Sequence, residues 1–423
     1  MKNNLSRSST SNYSKYRILL IYIFFFILIY NENIKIVGLS LSVLWKVVLL
    51  IYVFFYILRR KYQKPLFNKY AYGYGIIKLF NSGLYNTTFI TISDFSRFIT
   101  FPLLYDYVTY KAKRALSVYN ILYYISQFII LSFIPFLFKL LKSHETSDIS
   151  ESALEALEAA NRSSGIFSST HGASALIALA LVFITYHITS RKLTYRTKVY
   201  TLFLLCIGIW ALIGTYARGG WVMWIIGTFI LLARKNIRFV IIMISVSIVM
   251  CIGISYLMQT NEYFYNRITD RNEKGVKNES DRVGSGRLWF AYNGIEFWKN
   301  TDNIQEILTG KGIIRLMEYQ EQKTGLYIYC HNGYIDSLAQ NGILGFIFLI
   351  SFNIYMFTYV FRKKKSKYRR LAIAIISMYI TFQLLQGGAS PYSDIFYVLI
   401  LHLTRLDQIE KNQLLISKKK YIS

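Results

Sequence analysis

Three short stretches of this 423-residue chain hold the side chains best suited to chemistry. GTYARGGW (214–221) sets Arg218 beside Gly219 and Gly220, between two apolar runs. A guanidinium at a helix start with bare backbone beside it suits a phosphate or diphosphate, through bidentate hydrogen bonds and the positive helix end. Snorkelling to lipid headgroups is the competing reading; it explains the charge but not the glycine pair. VGSGRLWFAYNGIEFWKN (283–300) carries Arg287. Leu288, Ala291, Tyr292, Ile295 and Trp298 recur there at helical spacing, which predicts an amphipathic helix at the outer leaflet, capped by Ser285, with Arg287 in its first turn. A cation in a first turn opposes the helix dipole, so a local anion would explain it; a solvated loop arginine is the plainer alternative.

CHNGYIDSLAQNGILGFIFLI (330–350) puts His331 and Asn332 at the mouth of an apolar helix, with Asn332, Asp336 and Gln340 four apart on one face. Such a polar stripe faces a cavity or other helices rather than lipid. His331 at a water-accessible mouth is a candidate general base, weighed against a structural histidine. Cys330 beside it lacks an acyl-transfer constellation, so a thiol nucleophile is disfavoured. His171, in GIFSSTHGAS, either contacts an acceptor or caps a helix. Asp94 and Arg97, three apart, pair with each other or mark a ligand cavity. No P-loop, dinucleotide fingerprint, HExxH or metal-ligand spacing occurs, so neither a metal nor a cofactor is expected.

The elements that must carry these residues are membrane helices. The chain is 54% hydrophobic and 17% aromatic, with its apolar residues in long runs, which predicts an all-α polytopic membrane protein. Spans are expected near 16–30, 36–58, 72–90, 91–109, 115–141, 171–188, 197–214, 218–234, 237–257, 334–358, 371–387 and 391–407, about twelve in all. The 72–90 segment, with Lys78, Asn81 and several glycines, reads as broken or re-entrant. The N-terminal run, followed by NENIK rather than a small-residue cleavage site, reads as an uncleaved first span. Cys206, Cys251 and Cys330 have no paired spacing, which argues against a disulfide framework.

The net charge of +27 falls in clusters between apolar runs, FRKKKSKYRR at 361–370 among them. That is the positive-inside pattern rather than a nucleic-acid surface, and it places both termini in the cytoplasm. The outer side then holds the acidic stretch 142–170, which reads as a short surface helix, and the loop 258–333. Three regions follow: an N-terminal bundle (1–257), an extracytoplasmic loop (258–333), and C-terminal helices with a cytoplasmic tail (334–423). Arg218, Arg287 and His331 all fall on the outer side.

In order, spacing and sidedness the set resembles the O-antigen ligase and polymerase superfamily of bacterial envelopes. The segments that carry the resemblance are NRSSGIFSSTHGASALIALAL (161–181), YARGGW, GSGRLWFAYNG, ILTGKGI and HNGYIDSLAQNGILG. Ala217 departs from the pattern, standing where serine is common. The resemblance implies a GT-C-like bundle in the bacterial inner membrane, and a metal-independent, inverting glycosyl transfer from a polyprenyl-diphosphate-linked glycan to a glycan or lipid acceptor. It implies that Arg218 and Arg287 bind the diphosphate and that His331 activates the acceptor hydroxyl. Asn332, Asp336, His171 and Arg97 would support the site or the acceptor. A polymerase of repeat units is favoured, a ligase of finished glycans is the alternative, and a lipid-linked oligosaccharide flippase is the competing class. A chain-length regulator or flippase would be natural partners.

Overall fold

The apolar runs close into helices because a backbone in lipid must satisfy its own hydrogen bonds. The computed structural model describes residues 35–36, 39–40, 51, 55, 65–85, 88–140, 163–167, 169–233, 255, 259, 287–386 and 391–420. Its elements are β1 (Lys35–Ile36), β2 (Leu39–Ser40), α1 (Leu66–Tyr85), α2 (Thr88–Lys111), α3 (Ala115–Leu131), α4 (Ile134–Leu137), α5 (Thr170–Ser190), α6 (Tyr195–Gly214), α7 (Arg218–Leu232), α8 (Arg287–Lys299), α9 (Ile304–Thr309), α10 (Ile313–Thr324), α11 (Gly333–Phe361), α12 (Arg369–Gln386) and α13 (Pro391–Lys420).

The strands form one antiparallel pair, Lys35 opposite Ser40 and Ile36 opposite Leu39, where a helical span was expected to begin at 36. Among the described residues, four helices are long and apolar enough to cross a membrane: Ala115–Leu137, Thr170–Ser190, Tyr195–Gly214 and Gly333–Phe361, with Arg218–Leu232 a shorter apolar helix. The expected spans at 371–387 and 391–407 are helical where described, but α13 runs on to Lys420. The expected spans at 16–30 and 237–257, most of the span at 36–58, most of the loop up to 286 and the acidic stretch up to 162 lie outside the described residues, apart from single positions such as Ser255.

Two compact units divide the chain, one comprising Met1–Leu49 and Arg114–Trp221, the other Leu50–Lys113 and Val222–Ser423. In the first, α5 is buried from Ala173 to Ile184 without interruption and packs against α3 and α6. A helix apolar on every face belongs at the centre of a bundle, and the alanines of ASALIALAL let its neighbours approach. Ser169 caps α5, its Oγ accepting from the Gly172 N–H at 3.5 Å.

In the second unit α11 is the hub, packing against α1, α8, α9 and α12, while α2 joins α1 to α13. Aromatic rings line the α1–α11 seam: Tyr70 stacks on Tyr355 at 5.0 Å and Phe67 meets Tyr359 edge-on at 5.0 Å. Asp106 of α2 accepts from Asn68 Nδ2 (2.6 Å) and Tyr72 OH (2.7 Å) of α1, so both carboxylate oxygens are used. Within the 72–90 segment, expected to be broken or re-entrant, α1 continues to Tyr85 and a second helix starts at Thr88, with 86–87 outside the described residues. The polar residues of α1 turn inward: buried Lys78 donates to Gln340 Oε1 at 2.8 Å, and Asn81 Nδ2 donates to the carbonyls of Thr309 (2.7 Å) and Gln340. A break lies in α11, where Gly342 has φ 62° and ψ −165°.

Candidate functional site

In the second unit, the segment entering α11 is built as a tight turn around His331. Asp336 Oδ1 accepts from the Cys330 N–H at 2.9 Å, and the Asp336 N–H donates back to the Asn332 carbonyl at 2.8 Å. Asn332 caps the helix, its Oδ1 accepting from the N–H groups of Tyr334 (3.1 Å) and Ile335 (3.2 Å). Between these anchors His331 adopts φ 55°, a left-handed conformation uncommon for a residue with a side chain and found where neighbours over-determine the backbone. Its ring lies 4.5 Å from the Tyr329 ring and 6.2 Å from that of Phe290.

Burial, and next the charge of Arg287, hold the His331 imidazole at a pKa of about 4, below its ordinary 6.5. The ring is therefore neutral at physiological pH and able to accept a proton. Nδ1 is buried and has no hydrogen-bond partner among the described residues, a costly state for a purely structural group.

Arg287 opens α8, as the spacing predicts, and donates from Nη1 to the Leu385 carbonyl at 2.7 Å, near the C-terminus of α12. The apolar stripe expected on α8 is not the face packed on the protein. Leu288 and Tyr292 are 67% and 65% exposed, whereas the residues facing the protein are Phe290, Asn293, Gly294 and Phe297. Helical spacing identifies a stripe but not what it faces, and in a membrane protein an exposed apolar stripe is compatible with lipid. Gly294 has no room for a side chain: a Cβ there would overlap Cys330 Sγ, so α8 rests directly on the turn before His331. Gln320 of α10 fastens the same contact, donating to the Phe290 carbonyl at 2.7 Å and accepting from Asn293 Nδ2 at 3.2 Å. Cys330 is fully buried, and burial, with Asp336 beside it, pushes its thiol well up, which removes the thiolate a nucleophile would need.

Asp336 and Gln340 are buried on one face of α11, as their spacing predicts, with Asp336 under the His331 turn and Gln340 on Lys78. Lys78 and Gln320 were not singled out for such roles from sequence. Lys78 left a signal, a cation in an apolar run; Gln320, in an ordinary amphipathic helix, left none.

In the first unit, Arg218 opens α7 after the turn Thr215–Ala217, where Tyr216 has φ 51°. The preceding Gly214 carbonyl accepts from the Ser163 N–H at 3.0 Å, which joins the NRSSGIF and ARGGW segments. Gly220 is not beside open space: a Cβ there would lie 2.5 Å from Ser174 Cβ on α5. Its missing side chain admits a neighbouring helix, so at Gly220 the bare backbone of the glycine pair faces protein. His171 sits in the first turn of α5 with its carbonyl accepting from Ser174 Oγ at 2.9 Å; the cap is Ser169, not His171. Arg97 lies on α2, but its side chain and that of Asp94 lie outside the described residues, as does Ser285.

Residues 201–350 match the family model of the O-antigen ligases. No curated protein matches the chain. The matched stretch includes Arg218, Arg287 and His331 together with the Gly310–Gly312 segment and the Gly342 break.

Proposed function

From an O-antigen ligase family domain over residues 201–350, that of a membrane enzyme of polysaccharide biosynthesis, we propose that this chain is a polymerase of polyprenyl-diphosphate-linked repeat units, working at the outer face of the bacterial inner membrane. The observation that carries the reading is His331: a neutral, largely buried imidazole with an unpartnered Nδ1, held in a left-handed turn at a helix mouth and facing the charge of Arg287.

In the proposed reaction an acceptor sugar hydroxyl attacks the anomeric carbon of the donor. The new C–O bond forms on the face opposite the leaving group, the bond to the diphosphate breaks, and the diphosphate departs with the bonding electron pair. His331 takes the hydroxyl proton, and Arg287 and Arg218 meet the charge that develops on the diphosphate. An imidazole with a pKa of about 4 is a weak base at rest. A diphosphate bound to Arg287 offsets the charge that depresses it, so donor binding raises the proton affinity of the base when it is needed. Asn332 and Asp336 hold the His331 backbone, and His171 serves the acceptor.

The test uses purified protein in lipid with a polyprenyl-diphosphate oligosaccharide, in chelator. Wild type should give a ladder of repeat-unit multiples; a single transfer to a lipid acceptor would identify a ligase. His331→Ala should lower kcat by about 10²- to 10⁴-fold. Arg218→Ala and Arg287→Ala should each weaken donor use by about 10- to 100-fold, the worth of a charged hydrogen bond. Full product from His331→Ala would overturn the base assignment, and activity abolished by chelator would overturn the metal-free mechanism.

A further inference from the structure

Gly310–Lys311–Gly312 lies between α9 and α10 and touches two helices at once. Its backbone clips the broken part of α11: the Lys311 N–H donates to the Ala339 carbonyl at 3.3 Å and the Gly312 N–H to the Gln340 carbonyl at 3.1 Å. These carbonyls lie just before Gly342, where the helical ladder is interrupted and acceptors are left over. Both Gly310 and Gly342 have positive φ, and each packs so closely on the other's segment that a Cβ would overlap backbone. The side chain of Lys311 reaches the other way. Nζ donates to the Phe297 and Asn300 carbonyls, both at 3.1 Å, and sits 4.7 Å over the Phe297 ring. It thus takes up the carbonyl end of α8, where a cation is favoured by the helix dipole.

We infer that Lys311 is a positioning residue that sets Arg287 against His331, by fixing the far end of α8 to the helix that carries the base. The inference rests on the proposed roles of those two residues. Three features support it. Treated as a rigid lever resting on the Gly294–Cys330 contact, α8 has Arg287 seven residues to one side and the Lys311 anchor three to six residues to the other. At 1.5 Å of rise per residue, a movement at the anchored end is enlarged about 1.5-fold at Arg287. Lys311 is itself committed to this place: burial lowers its pKa, and the charges around it, Glu306, Arg315 and Asp302, belong to the clip and its neighbours rather than to the His331 turn. Trp298 Nε1 donates to the Ile307 carbonyl at 3.3 Å, so α9 holds the same end of α8, where Lys323 of α10 also pairs with Glu296 at 3.1 Å.

The readout is the titration of His331 itself, followed by NMR on histidine-labelled full-length protein in nanodiscs and assigned by His331→Gln. Arg287 from α8 is the charged group that acts on His331, and the rings of Tyr329, from the segment before it, and Phe290, from α8, lie beside it. Of these, Arg287 is the cation that lowers its pKa. Lys311→Met should move the midpoint up from about 4 toward 6.5, in the same direction as Arg287→Gln. The double variant should shift no further than Arg287→Gln alone, because both remove one interaction. If Lys311→Met is not recovered folded, Lys311→Gln, with a shorter neutral amide, should give the same direction of change. An unchanged midpoint in whichever variant folds, or a shift that adds in full to that of Arg287→Gln, overturns the inference. Because this titration needs no turnover, an inactive wild type would refute the glycosyl transfer and leave the role of Lys311 decided by its own result.

Discussion

Acidification should distinguish a buried, Arg287-facing base from an ordinary histidine by about tenfold in rate. An imidazole at its ordinary 6.5 is about 10% neutral at pH 5.5, whereas one at about 4 is about 97% neutral there. Wild-type kcat/KM, which reports the free enzyme, should therefore hold nearly constant from pH 7.5 to 5.5 and fall only as pH approaches about 4. Arg287→Gln removes the second cause of the depression and should lift the acid limb, although burial, the larger cause, keeps it below 6.5. Stability carries the same signature. The folded pKa lies below the unfolded one, so the unfolded chain binds more protons between the two values. Stability is full above pH 6.5 and is lost as pH falls toward 4, by at most about 3.5 kcal/mol at ~1.4 kcal/mol per pH unit. The assay pairs initial rates at subsaturating donor with thermal melts of wild type and His331→Gln, whose difference isolates this group. A wild-type acid limb near 6.5, or melts of the two proteins that stay parallel from pH 7 to 4.5, would refute the reasoning.

Three further substitutions separate packing from chemistry. Gly342→Ala puts a Cβ at φ 62° into the Leu308 carbonyl and should cost about 2 kcal/mol or more, read as a lower melting temperature or lost yield; an unaltered melt would deny that the break is sterically fixed. Gly220→Val should destabilise the first unit through Ser174. If the protein melts normally but donor KM rises, the glycine serves the ligand after all. Cys330→Ala should retain glycosyl transfer within about fivefold, since its thiol is buried and held protonated; a loss matching His331→Ala would restore the nucleophile reading.

What was legible in the sequence is what a local pattern dictates. Apolar runs bounded by basic clusters located α5, α6 and α11 to within a few residues, and helical spacing located α8. The four-residue spacing identified an inward face at Asp336 and Gln340, while Asn332 is the half-buried cap of the helix. What was hidden depends on distant partners or on backbone angles. Gln340 meets Lys78 across 262 positions, so the cation that made 72–90 look broken is held by a hydrogen bond no local window contains. The flippase reading expects deep basic residues lining a path, and the deep cation among the described residues is tied to a neighbouring helix in this way. The left-handed turn at His331 left no mark in CHNG, because the residue adopting φ 55° is the histidine and not the glycine two positions later.

Glycine explains most of the remaining difference. It permits two things, close approach and positive φ, and a sequence does not say which is used or by what. The question that decides is what an added Cβ would meet. At Gly220 it meets Ser174, and at Gly294 it meets Cys330; in both cases the space belongs to the protein. The anion-binding reading of Arg218 therefore draws no support from Gly220. What still supports it is the guanidinium at the opening of α7, where the helix dipole favours negative charge. That is a weaker argument than the one for Arg287, whose charge already acts on the candidate base. Between the two arginines, Arg287 should accordingly affect both rate and the pH profile, and Arg218 the rate alone.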